Sequence, residues 1–116
     1  MAYGLQSSYS NPLGQITHVH GYANRTSVDE GHLHIMRGDT GHTIRVPGDD
    51  HVHRVFGVTS LAVGHRHFYA VVSGLEIPTS PGFHVHRYQG VVMVAGSPPH
   101  IHRFEGITAP APDDIP

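Results

Sequence analysis

The short motif H-x-H occurs six times in this chain and constrains its fold more than any other feature. Of the 13 histidines among 116 residues, 12 fall in these pairs. Random placement of the same histidines would give only about one or two pairs by simple frequency arithmetic. His42 belongs to no pair, and we interpret it as an ordinary surface residue. The six pairs are His18/His20, His32/His34, His51/His53, His65/His67, His84/His86 and His100/His102.

The spacing of the pairs indicates internal repetition. The odd-numbered pairs begin at His18, His51 and His84, each 33 residues after the last, and each reads HVH. A shorter unit, H-x-H-R-x-x-G-(V/I)-T, recurs within this period, most clearly in HVHRVFGVT and HIHRFEGIT. The sequence therefore predicts an arm followed by a single domain of three tandem repeats. The predicted boundaries are 1–17 for the arm, 18–116 for the domain, and 18–50, 51–83 and 84–116 for the repeats.

A period of this length is also found in helical solenoids, but the residues here do not suit helices. Gly or Pro occurs every few residues, and no apolar i, i+3, i+4, i+7 pattern is present. Short Val/Ile/Tyr/Phe segments between turn residues predict an all-β fold, a small barrel, prism or sandwich with two H-x-H strands in each repeat. Strands are predicted at 15–21, 31–37, 43–46, 51–56, 58–63, 65–72, 83–88, 90–95 and 100–105. Turns or bulges are predicted at Gly57, Gly64, Gly74, Gly90 and Gly106.

Residues i and i+2 of a strand point to the same face, about 7 Å apart, so each pair presents two imidazoles side by side. The residue between them is apolar in every pair except the one that contains Arg66. We expect these apolar residues to point into the core. They are Val19, Leu33, Val52, Val85 and Ile101.

Paired imidazoles on several strands are typical of a transition-metal site. Histidine-only ligation suits Zn, Cu, Ni or Fe, whereas Ca and Mg prefer oxygen. All twelve paired histidines are therefore candidate ligands. They could form three sites of four histidines, two sites of six, or six half-sites completed by other copies of the chain.

Composition excludes several other classes of protein. Without Cys there is no disulfide framework or thiolate site, and a net charge of −2 with no Lys gives no footprint for nucleic acid. No apolar stretch is long enough for a membrane span. The first 17 residues lack the features of a secretory signal. This predicts a cytoplasmic location by default, or an extracellular one if the protein forms filaments.

These features favour a metal-binding structural protein that assembles with itself, as a homo-oligomer or filament, through the arm 1–17. One alternative is a metalloenzyme, for which Glu76 and Glu105 are the candidate catalytic carboxylates. Another is a metal-free assembly module that responds to pH, because clustered imidazoles repel one another when protonated. Arg54, Arg87 and Arg103 follow the second histidine of their units and are expected to form ion pairs or stacking contacts.

The recurring H-x-H followed by an aromatic or aliphatic residue and then G-x-T resembles the YmaF family of small bacterial His-rich proteins. The resemblance covers residues 18–108 and rests on all six pairs. The second unit departs from the pattern, because Ile35 follows its second histidine where the clearest units have Arg. The resemblance implies a His-rich protein and no particular activity.

Overall fold

The computed structural model describes residues 18–113, and within that range every regular element is a β-strand. This confirms the predicted all-β class. The arm 1–17 and the start of the strand predicted at 15–21 lie outside the described residues. The strands are β1 Gly21–Arg25, β2 Ile35–Asp39, β3 Ile44–Val46, β4 Asp50–Val52, β5 Arg54–Val58, β6 Phe68–Val72, β7 Glu76–Pro78, β8 Phe83–Val91, β9 Arg103–Ile107 and β10 Ala111–Pro112.

Three antiparallel hairpins form the body of the protein. They are β1 with β2, β5 with β6, and the second half of β8 with β9. The first half of β8 pairs with β7 and β10, and β3 pairs with β4. These are separate small sheets in the described part of the chain, so the fold is not a closed barrel. That the hairpins correspond to tandem repeats stays a prediction from the sequence.

Backbone hydrogen bonds join the hairpins in a cyclic order. At one end, Ser60 N–H donates to the carbonyl of Ile35 at 2.9 Å, which links the second hairpin to the first. Met93 N–H donates to Phe68 in the same way at 2.8 Å. The circle closes where Ser27 N–H donates to Arg103 at 2.8 Å. The opposite end repeats this order through Gly41 to Arg54, Gly74 to Arg87 and Ala109 to Gly21.

A small core fills the space between the hairpins, and its members occupy one position in the repeated unit. Each lies two residues after the second histidine of a pair, on the same inward face. The buried residues at this position are Tyr22, Met36, Val55, Tyr69, Tyr88 and Phe104.

The prediction that the residues between paired histidines point into the core is wrong for most pairs. Val19 and Ile101 are 39% and 43% exposed, whereas the second histidine of every pair is buried. Val85 is the exception, because β7 and β10 flank its strand and it is 8% exposed. The paired histidines and the core residues lie at alternate positions of the same extended segment, so they share its inward face. The residues between them therefore point outward.

Three of the five glycines predicted as turns or bulges lie inside regularly paired strands instead. Gly57, Gly90 and Gly106 each stand opposite a buried ring in the cross-strand register. A Cβ on Gly106 would come within 2.5 Å of the Tyr88 hydroxyl, so glycine is required there for space. Gly64 does lie in a turn, with φ of 77°. Gly74 lies in the segment between β6 and β7.

The strand breaks predicted at these glycines are therefore also wrong. β5 runs through Gly57, where strands at 51–56 and 58–63 were expected, and β8 is continuous where 83–88 and 90–95 were expected. Most H-x-H pairs come immediately before a strand. For example, β2 begins at Ile35, directly after His34.

Candidate metal centres

Chain direction divides the twelve paired histidines between the two ends of the hairpin assembly. A pair precedes each hairpin strand, and because the two strands of a hairpin run in opposite directions, their starts lie at opposite ends. One group lies at the end where linkers connect successive hairpins, and we call it the linker-end cluster: His18, His20, His51, His53, His84 and His86. The other lies beside the hairpin loops, and we call it the tip-end cluster: His32, His34, His65, His67, His100 and His102.

In each cluster, ligand-type atoms from all six residues lie within 4.8 Å of one another. Of the three groupings left open by the sequence, the structure has two groups of six. Each group combines one H-x-H pair from each hairpin, so residues as far apart as His18 and His86 face the same centre. These clusters could each hold a metal ion.

The rings in each cluster are arranged like the ligands of an octahedron. Every ring packs edge to face on the other rings of its cluster except one, with centroids 4.6–5.0 Å apart. The remaining ring is the opposite vertex. At the linker end the opposite pairs are His18/His86, His20/His51 and His53/His84; at the tip end they are His32/His67, His34/His100 and His65/His102.

The distances between ring nitrogens agree with six-fold coordination. Neighbouring Nε2 atoms lie 2.9–3.2 Å apart at the linker end and 3.1–3.3 Å apart at the tip end. Ligands at about 2.0–2.1 Å from an ion, as in zinc–imidazole bonds, would lie about 2.9–3.0 Å apart when adjacent in an octahedron. The observed values correspond to slightly longer bonds, on the order of 2.2 Å.

Nδ1 of the second histidine in each pair is already committed to a backbone carbonyl. His53 Nδ1–H donates to Gly41 at 2.9 Å, and His67 Nδ1–H donates to Met93 at 2.8 Å. Because a carbonyl only accepts, these bonds fix the tautomer and leave the Nε2 lone pair pointing to the centre. Each acceptor belongs to the neighbouring hairpin or linker. The other four bonds are His20 to Ala109, His34 to Ser60, His86 to Gly74 and His102 to Ser27.

The Thr of the repeated unit holds the backbone of these same histidines. Thr40 Oγ1 accepts the backbone N–H of His20 at 3.0 Å, and Thr40 N–H donates to the His20 carbonyl at 2.8 Å. These two bonds give the Thr of the G-x-T motif a structural role. The same side-chain bond joins Thr26 to His34, Thr59 to His67, Ser73 to His53 and Thr108 to His86.

The first histidines of the pairs are held differently at the two ends. At the tip end, Nδ1–H donates to the carbonyl two residues earlier: His32 to Glu30, His65 to Val63 and His100 to Pro98. At the linker end, His84 Nδ1–H donates to the carboxylate of Asp113 at 2.7 Å. Asp50 and Glu76 also lie within 4.8 Å of His51.

Burial lowers the pKa values of several inner imidazoles. Desolvation lowers the pKa of His20 to about 4 and that of His53 to about 3; the carbonyl bonds oppose this shift, while neighbouring imidazoles add to it. Desolvation also lowers the pKa values of His34, His67 and His86. His102 Nε2 is buried and has no hydrogen-bond partner among the described residues.

The remaining sequence candidates lie outside both clusters. His42 is exposed, in agreement with its interpretation as a surface residue. Glu105 is exposed on β9, whereas Glu76 lies against the linker-end cluster, 3.8 Å from His84 Nδ1. The Arg54 guanidinium stacks on Phe56, 5.0 Å from the ring centroid. Within residues 18–113, no helix is long and apolar enough to cross a membrane.

Comparison with protein families gives one match. A family model, YmaF, described as spore germination protein GerY/YamF, matches residues 4–75, which is more than half of the chain. The chain belongs to the YmaF family. The matched range contains the first four H-x-H pairs, while the resemblance seen in the sequence extends to residue 108. No curated protein and no solved structure shows significant similarity to this YmaF-family chain.

Proposed function

We propose that this protein binds two transition-metal ions, one in each cluster, through the Nε2 atoms of all twelve paired histidines. The observation that carries the proposal is the convergence of six Nε2 lone pairs at 2.9–3.3 Å while Nδ1 donates elsewhere. With Nδ1 protonated, neighbouring neutral rings have no proton to share between their Nε2 atoms, and the lone pairs repel. A cation at the centre would accept these lone pairs as ligands and so remove the repulsion between them.

Coordination number supports a structural or metal-holding role over catalysis. A catalytic metal keeps an open position for water or substrate, and three protein ligands are usual. Six imidazoles would fill an octahedron and leave no such position. The ions would instead tie together the three hairpins, each of which contributes one pair to each centre.

The same geometry narrows the choice of metal. Structural zinc is almost always four-coordinate, and Cu(II) favours tetragonal surroundings. A regular set of six imidazoles is therefore better suited to Fe(II) or Ni(II). Among metals that accept imidazole, these two are the ones we propose.

Self-assembly is the second part of the proposal. The outward face of the second hairpin is apolar, with Phe56, Val58, Phe68 and Val72 all exposed. A continuous exposed apolar face is a common feature of surfaces that bind other proteins. We propose that copies associate through this face and the arm 1–17. The family description provides the context of spore germination, in which a metal-crosslinked assembly would act.

Elemental analysis with matched variants tests the metal proposal. Protein purified without a metal column or added chelator should contain two equivalents of one transition metal per chain. His53→Ala should remove the linker-end ion and His67→Ala the tip-end ion, leaving about one equivalent each. His42→Ala should retain both ions, because His42 lies outside the clusters. Equal metal content in all four proteins, or none in the wild type even after reconstitution, would overturn the proposal.

The metal-free, pH-responsive module stays an alternative, because protonation of buried histidines with lowered pKa values destabilises the folded state in acid. It predicts an assembly that forms fully in the presence of EDTA at pH 7 and dissolves in acid. Metal binding predicts that EDTA alone weakens the protein at pH 7. Thermal unfolding with and without EDTA at neutral pH separates the two.

A further inference from the structure

The two clusters have the same inner arrangement but different surroundings at their outer faces. The outer face of each cluster consists of the first histidines of its pairs. At the linker end two of these, His51 and His84, are 5% and 0% exposed. At the tip end all three, His32, His65 and His100, are partly exposed. The tip-end centre is therefore the one more open to solvent.

The linker-end centre is covered by strands that pair on either side of its outer histidines. β7 and β10 both pair with β8 around His84, and β3 pairs with β4 around His51. The carboxylate of Asp113 fixes the His84 ring from 29 residues away. An ion in this centre can leave through the outer face only if several of these contacts open together.

The first histidines of the tip-end pairs lie instead on short turns, and their hydrogen bonds are made within those turns. His32 and His65 each close a turn through an isolated bridge, to Asp29 and Ala62 respectively. Positive φ values at Glu30 and Gly31, 51° and 78°, are typical of a tight hairpin turn. The Nδ1 acceptors also lie in the same turns. Each outer ligand can thus leave the metal by a movement of its own hairpin tip.

From this asymmetry we infer that the tip-end cluster is an exchange site for a divalent transition metal, while the linker-end cluster retains its ion. The inference rests on the proposed function, since both clusters must bind metal. It assigns different roles to two centres that have identical ligands. The retained ion holds the hairpins and linkers together, and the exchangeable ion is taken from, and released to, an external chelating partner at the hairpin tips.

Metal release to a chelator tests this inference. Protein reconstituted with Ni(II) is mixed with excess EDTA, and the metal that remains bound is measured over time. The inference predicts two phases of about one equivalent each, with rates that differ by roughly tenfold or more, because the linker end needs a larger local opening. His67→Ala should lack the fast phase and His53→Ala the slow one.

Variants of the carboxylates beside the clusters provide a second test, because they change the release rate without removing a histidine. Asp113→Asn weakens the bond to His84 and should speed the slow phase only. Asp29→Asn is the matched control at the other end, where the carboxylate lies 3.4 Å from His102 Nδ1, and should leave the slow phase unchanged. Two equivalents released in one phase, or a fast phase assigned to the linker end, would overturn the inference while leaving the proposed function intact. Failure to bind Ni(II) at all would overturn both.

Discussion

The Nε2 atoms of His65 and His100 lie 3.2 Å apart, although each ring already donates its Nδ1 proton to a backbone carbonyl. With the proton on Nδ1, the two Nε2 lone pairs are directed at each other across that distance. The arrangement recurs around both clusters, and the proposed metal binding depends on it.

Acid should destabilise the metal-free protein in a defined pH window. The pKa values of His20 and His53, about 4 and about 3, lie below the value of 6.5 expected in the unfolded chain. Between pH 6.5 and 4 the unfolded state therefore binds more protons, so the free energy of unfolding falls as the pH falls through this range. Denaturant titrations of EDTA-treated protein at pH 8, 6, 5 and 4 measure the effect. A free energy that is constant or rises toward pH 4 would contradict it.

Loss of the threonine hydroxyl that holds a ligand backbone should weaken both fold and metal binding. Thr40→Val keeps the shape of the side chain but leaves the buried N–H of His20 without its acceptor. Such a loss costs about 1–3 kcal/mol. Thr79→Val, at an exposed position, is the control and should change stability little. Thermal unfolding and Ni(II) titration measure the two effects, and similar behaviour of both variants would show that the Thr40 bond is unimportant.

Gly106→Ala should destabilise the third hairpin. Its Cβ would meet the Tyr88 hydroxyl at 2.5 Å, and that hydroxyl cannot move freely because it donates to Asn24 at 2.6 Å. Overpacking of this kind costs about 1–3 kcal/mol. At Gly21 the nearest atom would be 3.6 Å away, so Gly21→Ala is the matched control. Denaturant midpoints of the two variants give the comparison; equal midpoints would refute the packing role of Gly106.

The apolar face of the second hairpin should control association. Replacing Phe68, which is 65% exposed, by Ser removes apolar surface without opening the core. Sedimentation velocity of wild type and Phe68→Ser should show a smaller species for the variant at equal metal content. Ile107→Ser on the third hairpin, where the exposed fraction is 55%, is the control and should sediment like wild type. Unchanged sedimentation of Phe68→Ser would exclude this face as the contact.

Short Val/Ile/Tyr/Phe segments between turn residues predicted the all-β class, and the H-x-H spacing identified the twelve histidines that converge, because imidazoles two residues apart on an extended chain share a face. It could not predict which face was inside. Val52 and similar residues are apolar and resembled core, yet the inward stripe runs through His51, His53 and Val55 instead. An apolar residue indicates the buried face of a strand only when its polar neighbours are exposed. Here the neighbouring histidines are buried because they converge on the two candidate metal centres.

The second limit was glycine. In HVHRVFGVT the sequence predicts a turn or bulge at the Gly, whereas Gly57 stands opposite Tyr69 within a hairpin. Only the cross-strand register reveals that the missing side chain makes room for a ring, and the register depends on loop lengths that single-sequence patterns do not specify. The contact between Asp113 and His84 could not be predicted for the same reason, since Asp113 lies 29 residues further along the chain.

The most direct test of the central claim is X-ray absorption spectroscopy of the protein reconstituted with Ni(II), combined with elemental analysis of the same sample. The account predicts two ions per chain, each with six nitrogen ligands at a single distance of about 2.1–2.2 Å and the multiple-scattering signature of imidazole. Four-coordinate ions, a mixed oxygen and nitrogen shell, or one ion shared between chains would contradict it.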